Sequence, residues 1–425
     1  MAINTAIDDI MHIDESMCRG CTSCARNCPV GAIISAPKTP HRIDPAKCVN
    51  CGYCVNVCGF HGIKVQDAKE DFKALLADPN RKVAIQFAPS VRVGLGEMFG
   101  MEPGIDVTGK LVTALKQMGV DYVYDTNVAA DLTILEEANE FLNRLQNGGV
   151  LPLFTSCCPA WDRYVEKYAP DFLDNISSCR SPMQMQSPVI KEYHRAHKNE
   201  EVTVCAIMPC TAKKYEAKRS EFKDAQDGNA QTELVLTVVE MGQLIEEAGY
   251  DFPNLPDTQP DDPFGYGTGG AVIFGVTGGV AEAVVRYVAN EKLHVPIKET
   301  VELSSSCGIR GYEKVREASV MVGDTQVNIA VVNGLKNVGE VLDKVRSGEA
   351  NYHIIEVMTC PNGCVGGGGM PKAKDKIKQQ RGQGLYNADD AYALKASNEN
   401  PAMDYIYNEV VKDKVHELLH VHYEH

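Results

Sequence analysis

From residue 83 onward, short apolar runs alternate with stretches in which apolar residues recur every three or four positions. Val83–Phe87, Tyr122–Tyr124, Leu151–Phe154, Val202–Ile207, Asn328–Val332 and His353–Val357 read as strands. The spacing predicts helices over 107–118, 128–146, 181–197, 237–248, 278–291 and 335–347. Alternation of this kind predicts α/β layers with much parallel sheet. Ahead of them, residues 67–81 read as a short helix and a polar linker. The proline-rich stretch 253–263 reads as a rigid polar loop with nothing to contribute to a core. Beyond Gly384 the residues turn small and polar until a helical segment from about Met403 to Tyr423, expected to be an amphipathic helix wrapping the main domain with its histidines on the exposed side.

A chain of 425 residues has room for two or three domains, and 44% hydrophobic with 23% charged residues is the balance of an ordinary soluble globular protein. A formal net charge of −15 argues against a nucleic-acid partner, which wants a basic face. No apolar run is long enough to predict a membrane span. The start of the chain, Met1 to Asp9, lacks a basic region followed by an apolar core, so no export signal is expected. The sixteen cysteines are then expected as metal ligands in a reducing cytoplasm rather than as disulfides.

Their spacing says which metal. Cys18, Cys21, Cys24 and Cys28-Pro29 are followed by Cys48, Cys51, Cys54 and Cys58-Gly59, the bacterial ferredoxin run given twice. In that arrangement the fourth cysteine of each run ligates the other cluster. Cys18, Cys21, Cys24 and Cys58 are therefore expected on one [4Fe–4S] cluster, and Cys48, Cys51, Cys54 and Cys28 on a second. A zinc ribbon would use paired cysteines without the third and fourth members. Two such clusters carry single electrons, so a user of electrons is expected further along.

Three later loops supply one. Thr359-Cys-Pro-Asn-Gly-Cys364 precedes four glycines, Thr155-Ser-Cys-Cys-Pro-Ala-Trp161 offers Cys157 and Cys158, and Met208-Pro-Cys210 offers a further thiol. Each follows a strand, and strand ends are where α/β sheets place their sites. The loops are expected to converge on one buried cluster, with the glycines lying close against whatever the thiols hold; unrelated buried cysteines would be the plain alternative.

Three other patterns carry less. Gly265-Tyr-Gly-Thr-Gly-Gly270 matches a dinucleotide fingerprint but lacks its strand and acidic residue, so 269–279 is expected to be another loop against the site. His416-Glu-Leu-Leu-His420 is formally a zinc-protease motif with no third ligand in prospect. Glu137, Glu140 and Arg144 share one helical face, which periodicity alone reads as a solvated acidic surface or, alternatively, as a proton relay through a buried face.

The head and the three loops, in this order, resemble the [FeFe]-hydrogenases over nearly the whole chain. The resemblance implies an α+β ferredoxin-like domain over 1–66, a linker over 67–81, a two-lobed α/β catalytic domain over 82–384, and a tail over 385–425 similar to the family's separate small subunit. It implies the reaction 2H⁺ + 2e⁻ ⇌ H₂ at an H-cluster, a [4Fe–4S] cube joined to a di-iron unit bearing CO, CN⁻ and a bridging dithiolate. Cys158, Cys210, Cys360 and Cys364 would hold the cube, with Cys364 bridging to the di-iron unit. Lys213 would hydrogen-bond one cyanide, with Pro89 and Ser90 near the other, and Met208 and Met358 would pack against the di-iron unit. Protons would pass from Cys157 through a water to Glu137, then Ser178, Glu140 and Arg144. Implied partners are H₂ and protons, a ferredoxin or other redox subunit, and maturation proteins that build the di-iron unit. The cluster of Cys48, Cys51, Cys54 and Cys28 is expected nearest the active site.

The chain departs from the family's pattern at Thr359, Asn362 and Met370 and in an extra glycine. Those positions surround the ligands and tune them, and they suggest a branch favouring H₂ uptake. Cys179, Cys205 and Cys307 are expected as buried structural thiols. A hydrogen sensor, an iron–sulfur assembly protein and a plain electron carrier are the competing readings. The presence of Cys157, the carboxylate face and a complete third thiol set speak against each.

Overall fold

The computed structural model describes residues 10–36, 38–226 and 228–421. The expectation about an export signal in Met1 to Asp9 lies outside them, as does the end of the helix expected to reach Tyr423. The head carries four short strands: β1 (Met11–Ile13), β2 (Ile33–Ile34), β3 (Arg42–Ile43) and β4 (Ile63–Val65). β1 pairs antiparallel with β4 and β2 with β3. Short helices Ser23–Asn27 and Tyr53–Val57 follow the second cysteines of the two runs and carry the third, Cys24 and Cys54.

Eight more strands follow: β5 (Lys82–Phe87), β6 (Tyr122–Asp125), β7 (Leu153–Phe154), β8 (Val202–Met208), β9 (Leu234–Thr237), β10 (Val315–Val322), β11 (Thr325–Asn333) and β12 (Ile354–Met358). They form two four-stranded sheets, in the orders β6-β5-β8-β9 and β10-β11-β12-β7. The first is parallel throughout. β8 is buried at every position, Val-Thr-Val-Cys-Ala-Ile-Met, because helices cover both faces of a parallel sheet. The second is parallel except for β10, which pairs antiparallel with β11. β10 is absent from the strands expected above. Its buried and open positions alternate loosely along an edge, a weaker signal than an apolar run.

The expected helices appear at Thr108–Gln117, Asn127–Asn147, Pro182–Tyr193, Val238–Glu247, Gly279–Tyr287 and Val338–Ser347. Thr237 and Glu240 close a capping box at the start of Val238–Glu247. Gly148, at φ 74°, ends Asn127–Asn147. Residues 269–279 are not a loop: a short helix, Gly269–Val272, and a turn, Ile273–Gly275, occupy most of the stretch.

Two expectations about the tail are corrected. Helix Asp375–Ala391 runs unbroken through the boundary expected between residues 384 and 385. The segment from 403 is not one helix but Pro401–Tyr405, a wide turn over Ile406–Val411, Lys412 at φ 47°, and Val415–Leu419. The break shifts the helical phase, so the apolar stripe no longer says which way the histidines point. Met403, Ile406, Val411, Leu418 and Leu419 are buried in a cluster with Tyr124, Val128 and Val189. The tail is thus part of the core that carries helix Asn127–Asn147.

Candidate active site

Three parallel strands end at the site. β7 runs into Thr155-Ser-Cys-Cys158, β12 into Thr359-Cys360, and β8, from the other sheet, into Pro209-Cys210. The loops therefore meet between the two sheets. Charge on Cys210, Cys158 and Cys364 acts on Cys360, and charge on Cys158 and Cys210 acts on Cys364, so the four thiols lie within electrostatic reach of one another. Burial, then the charge of Cys158, pushes the Cys210 thiol up to about 11. Cys360 and Cys364 are raised by the same causes. Such thiols ionise only when a cation offsets their burial. Among the described residues no group of His, Cys, Asp and Glu is placed to hold a single metal ion. Four thiols within electrostatic reach, yet not gathered on one point, suit a polynuclear iron–sulfur cluster that takes one thiolate per iron.

The glycines after Cys364 also bring loop and head together. A Cβ at Gly368 would lie 2.6 Å from the Cα of Gly52 in the head, and one at Gly367 would lie 2.1 Å from the Pro209 carbonyl. They press backbone against backbone, joining the cysteine loops to each other and to the head. Asn362 holds φ 72°, which asparagine tolerates, and its side chain reaches Asp375 Oδ1 at 3.3 Å. The departure from glycine there costs little and ties the loop to the tail helix.

Around the thiols, Lys213 Nζ donates to the Cys157 carbonyl at 3.3 Å and to Glu216 Oε2 at 2.8 Å. Burial alone would lower its pKa, and the Glu216 carboxylate outweighs this and raises it, so a charged ammonium stands beside the site. Pro89 and Ser90 are buried, and Ser90 Oγ has no hydrogen-bond partner among the described residues. An orphaned buried hydroxyl asks for an acceptor. Met358 is buried in the cluster against which Cys157 and Cys364 pack, and Met208 in the core of the parallel sheet.

On the far side of Cys157 runs a chain of polar groups. Glu137 is fully buried; Oε1 accepts from Ser156 N at 3.2 Å, and Oε2 has no partner among the described residues. Burial, reinforced by the charge of Glu140, pushes Glu137 up to about 8. Burial and the Glu137 charge likewise raise the Cys157 thiol. Glu140 Oε2 accepts from Ser177 Oγ at 2.8 Å and from Ser178 Oγ at 3.1 Å, and Oε1 accepts from Arg144 at 2.5 Å. Arg144 also donates to the carbonyls of Asp174 and Ile176.

One site assignment changes. Ser177, not Ser178, stands between the two carboxyls: its hydroxyl donates to Glu140 Oε2, and it also acts on Glu137, which it lowers. Ser178 lies outward, bonded to Glu140 and to His420 Nδ1 at 2.9 Å. The expectation of exposed tail histidines fails for His420, whose Nε2 lies 3.0 Å from Glu136 Oε2 and whose side chain is 9% exposed.

In the head, Cys18, Cys21, Cys24 and Cys58 line one cavity. The charges of Cys58, Cys18 and Cys21 act on Cys24. Cys51, Cys48 and Cys28 act in the same way on Cys54. The second group adjoins the thiols of the three later loops. Cys51 feels Cys210, and Cys360 Sγ is 4.0 Å from the Cys51 carbonyl. Thr211 Oγ1 donates to the Asn50 carbonyl at 2.7 Å and Asn56 Nδ2 to that of Gly366 at 2.9 Å, fixing the head on the loops. Of the remaining thiols, Cys205 lies in the buried β8, Cys179 is fully buried with Sγ 3.9 Å from Glu140 Oε2, and Cys307 is partly exposed.

Residues 81–368 match the family model "Iron only hydrogenase large subunit, C-terminal domain", residues 375–425 "Iron hydrogenase small subunit", and residues 10–59 "4Fe-4S dicluster domain". The chain belongs to the iron-only, or [FeFe], hydrogenase family. It is an oxidoreductase interconverting H₂ with protons and electrons, whose cofactors are two [4Fe–4S] clusters and an H-cluster. The NADP-reducing hydrogenase subunit HndD of Solidesulfovibrio fructosivorans is 38% identical, over 96% of this chain and 73% of that protein. The periplasmic [Fe] hydrogenase large subunit of Nitratidesulfovibrio vulgaris is 41% identical, over 85% of this chain and 86% of that one. A solved structure of the [FeFe]-hydrogenase HydA1 from Chlamydomonas reinhardtii superposes with a TM-score of 0.71 at 34% identity, covering 84% of this chain and 98% of that one.

Proposed function

We propose that Cys158, Cys210, Cys360 and Cys364 hold the cube of the H-cluster, with Cys364 also joined to the di-iron unit. The closeness of these four half-buried thiols, each within electrostatic reach of the others, carries the reading. When bound, the H-cluster supplies the iron centre at which H₂ is split or formed. Ser90 and the charged Lys213 offer the donors that buried anionic ligands need. Pro89, Met208 and Met358 keep water away from the same space.

Cys157 is the thiol that gives or takes the proton at the reacting centre. Its raised pKa keeps it protonated, and Glu137, held near 8, is matched to exchange a proton with it around neutral pH. Ser177 carries the proton on to Glu140, and Arg144 fixes that carboxylate at the protein surface. Electrons pass through the head: Cys48, Cys51, Cys54 and Cys28 hold the cluster next to the cube, and Cys18, Cys21, Cys24 and Cys58 hold the outer one, where Cys21 is exposed.

We assign the head to a ferredoxin-like domain over 1–66, followed by the linker 67–81 and a two-lobed catalytic part around the two sheets. Helix Asp375–Ala391 then begins the wrapping tail. A ferredoxin or another redox subunit exchanges electrons at the outer cluster, and maturation proteins supply the di-iron unit. Among the described residues no helix is long and apolar enough to cross a membrane. A reducing cytoplasm suits sixteen thiols none of which is in a disulfide.

The test is an infrared spectrum of protein produced with its maturation machinery. Bands of iron-bound CO and CN⁻ that shift under H₂ are expected. If all [4Fe–4S] clusters are present and no such bands appear, the active-site assignment is wrong.

A further inference from the structure

The proton path has a feature that the carboxylate face does not require. Ser178, displaced from its expected place between the glutamates, bonds a histidine from the tail. Its hydroxyl donates to Glu140 Oε2 at 3.1 Å while its oxygen lies 2.9 Å from His420 Nδ1. A hydroxyl has one proton, so when it is given to Glu140 the ring must be the donor toward Ser178. The other ring nitrogen, Nε2, is 3.0 Å from Glu136 Oε2, and Tyr407 donates to the second oxygen of that carboxylate. Burial would raise Glu136, but the bonds from His420 and Tyr407 and the charges of His420 and His416 hold it below its ordinary value. The ring thus bridges Ser178 and Glu136, one nitrogen to each.

The placement is fixed by backbone as well. Val421 N donates to the Ser178 carbonyl at 2.7 Å, Arg180 N to that of Leu419 at 2.8 Å, and Arg180 Nε to that of His420 at 2.8 Å. The ring borders an open cleft lined by Arg180, Glu221, His416, Glu417, His420 and Val421. Glu136, Tyr407, His416 and Arg180 face His420 directly, and Glu140 through Ser178.

We propose that His420 is a relay residue giving the proton path a second mouth, from the cleft through Ser178 to Glu140, beside the one at Arg144. Inward, the imidazolium passes its Nδ1 proton to Ser178 Oγ as the Ser178 hydroxyl proton moves to Glu140 Oε2. The charged pair becomes a neutral ring and a neutral acid. The ring takes its next proton from water in the cleft, with the reorientation of ring and hydroxyl that any such relay needs between transfers. Outward flow is the reverse.

The inference rests on the Cys157–Glu137–Glu140 path, and its test separates the two. Glu137→Gln without loss of turnover would sink the path itself. With that path upheld, His420→Ala is expected to slow H₂ evolution by about threefold to tenfold, less than the hundredfold or more of a sole proton donor, because the Arg144 mouth remains. Added imidazole should restore the rate, and Ser178→Ala should match the loss without being restored. His420→Ala combined with Arg144→Leu should lose more than the product of the single losses. A structural readout accompanies these: in protein lacking the di-iron unit, the ¹⁵N resonance of His420 Nδ1 should move in Ser178→Ala. Unchanged turnover of His420→Ala at every pH, a loss that imidazole cannot restore, or an unmoved resonance would each overturn the second mouth.

Discussion

In the assignment proposed above, the electron side of the site is made of thiols and backbone, the proton side of carboxyls and hydroxyls. On the first, the head meets the cysteine loops through Gly52 and Gly368, and the Cys51 carbonyl approaches Cys360. On the second, Glu137, Ser177, Glu140, Ser178 and His420 follow one another from the core toward the cleft. Electrons cross packed atoms without a change of protonation, so that side needs closeness and rigidity. Protons need a donor and an acceptor at every step, so that side needs polar groups in a region where burying them is costly. Its cost is visible in Glu137, whose pKa is raised to about 8.

The largest effect should come from breaking the proton side at that residue. Glu137→Gln keeps the shape and the bond from Ser156 but cannot exchange a proton. We expect turnover to fall by roughly 10²-fold or more, and hydrogen–deuterium exchange with solvent to fall with it, while electron paramagnetic resonance of the head clusters stays as in the wild type. The same variant has a stability signature. A Glu raised from 4.5 to about 8 is protonated in the folded chain and ionised in the unfolded one between those values. The wild type therefore loses stability as pH rises through that window, and is free of the penalty below 4.5. Relative to wild type, Glu137→Gln should grow more stable from pH 4.5 toward 8, by an amount of order a few kcal/mol. Parallel stability curves would show that the carboxyl is not buried as described.

Breaking the electron side should give a smaller and different loss. A methyl group at Gly368 would meet the Gly52 backbone, which cannot swing aside as a side chain can, at a cost of about 1–3 kcal/mol. Gly368→Ala should slow turnover driven by electrons delivered through the head. Hydrogen–deuterium exchange, which needs protons but no supply of electrons, should persist. Equal loss of both activities would mean that the loops, not the joint, had been damaged.

Much of this was legible in the sequence because metal chemistry writes itself in spacing. The two runs of head cysteines and the thiols after β7, β8 and β12 are meaningful as strings, and the strands before them are apolar runs. Glu137, Glu140 and Arg144 were visible as one helical face. What stayed hidden depends on which of two neighbours faces inward. Ser177 and Ser178 are alike and adjacent, and only the path of the backbone after Phe172–Asn175 decides which hydroxyl sits between the glutamates. His420 was misplaced for a related reason: the helical phase was carried from Met403 across Lys412, where the helix breaks. The boundary at 384/385 failed because composition changes inside helix Asp375–Ala391 without ending it. The glycines after Cys364 announced a close approach, though not the one to Gly52 and Pro209.

A finer contrast concerns the cube itself, where the two sides meet. Cys158 Sγ lies 3.3 Å from Thr359 Oγ1, and a thiolate there can accept that hydroxyl's proton in a hydrogen bond. Such a bond favours the more negatively charged, reduced form of a cluster and so raises its potential. Thr359→Val keeps the volume and removes the donor, so the potential of the cube should fall. The shift is a fraction of the ~1 kcal/mol net value of one hydrogen bond, hence tens of millivolts at most, read by redox titration of the infrared bands. The head clusters are ligated elsewhere and should not move. A catalytic bias displaced toward H₂ evolution at a given applied potential would follow from the lower potential, whereas an unchanged potential would leave Thr359 a packing residue and remove it from the electron side altogether.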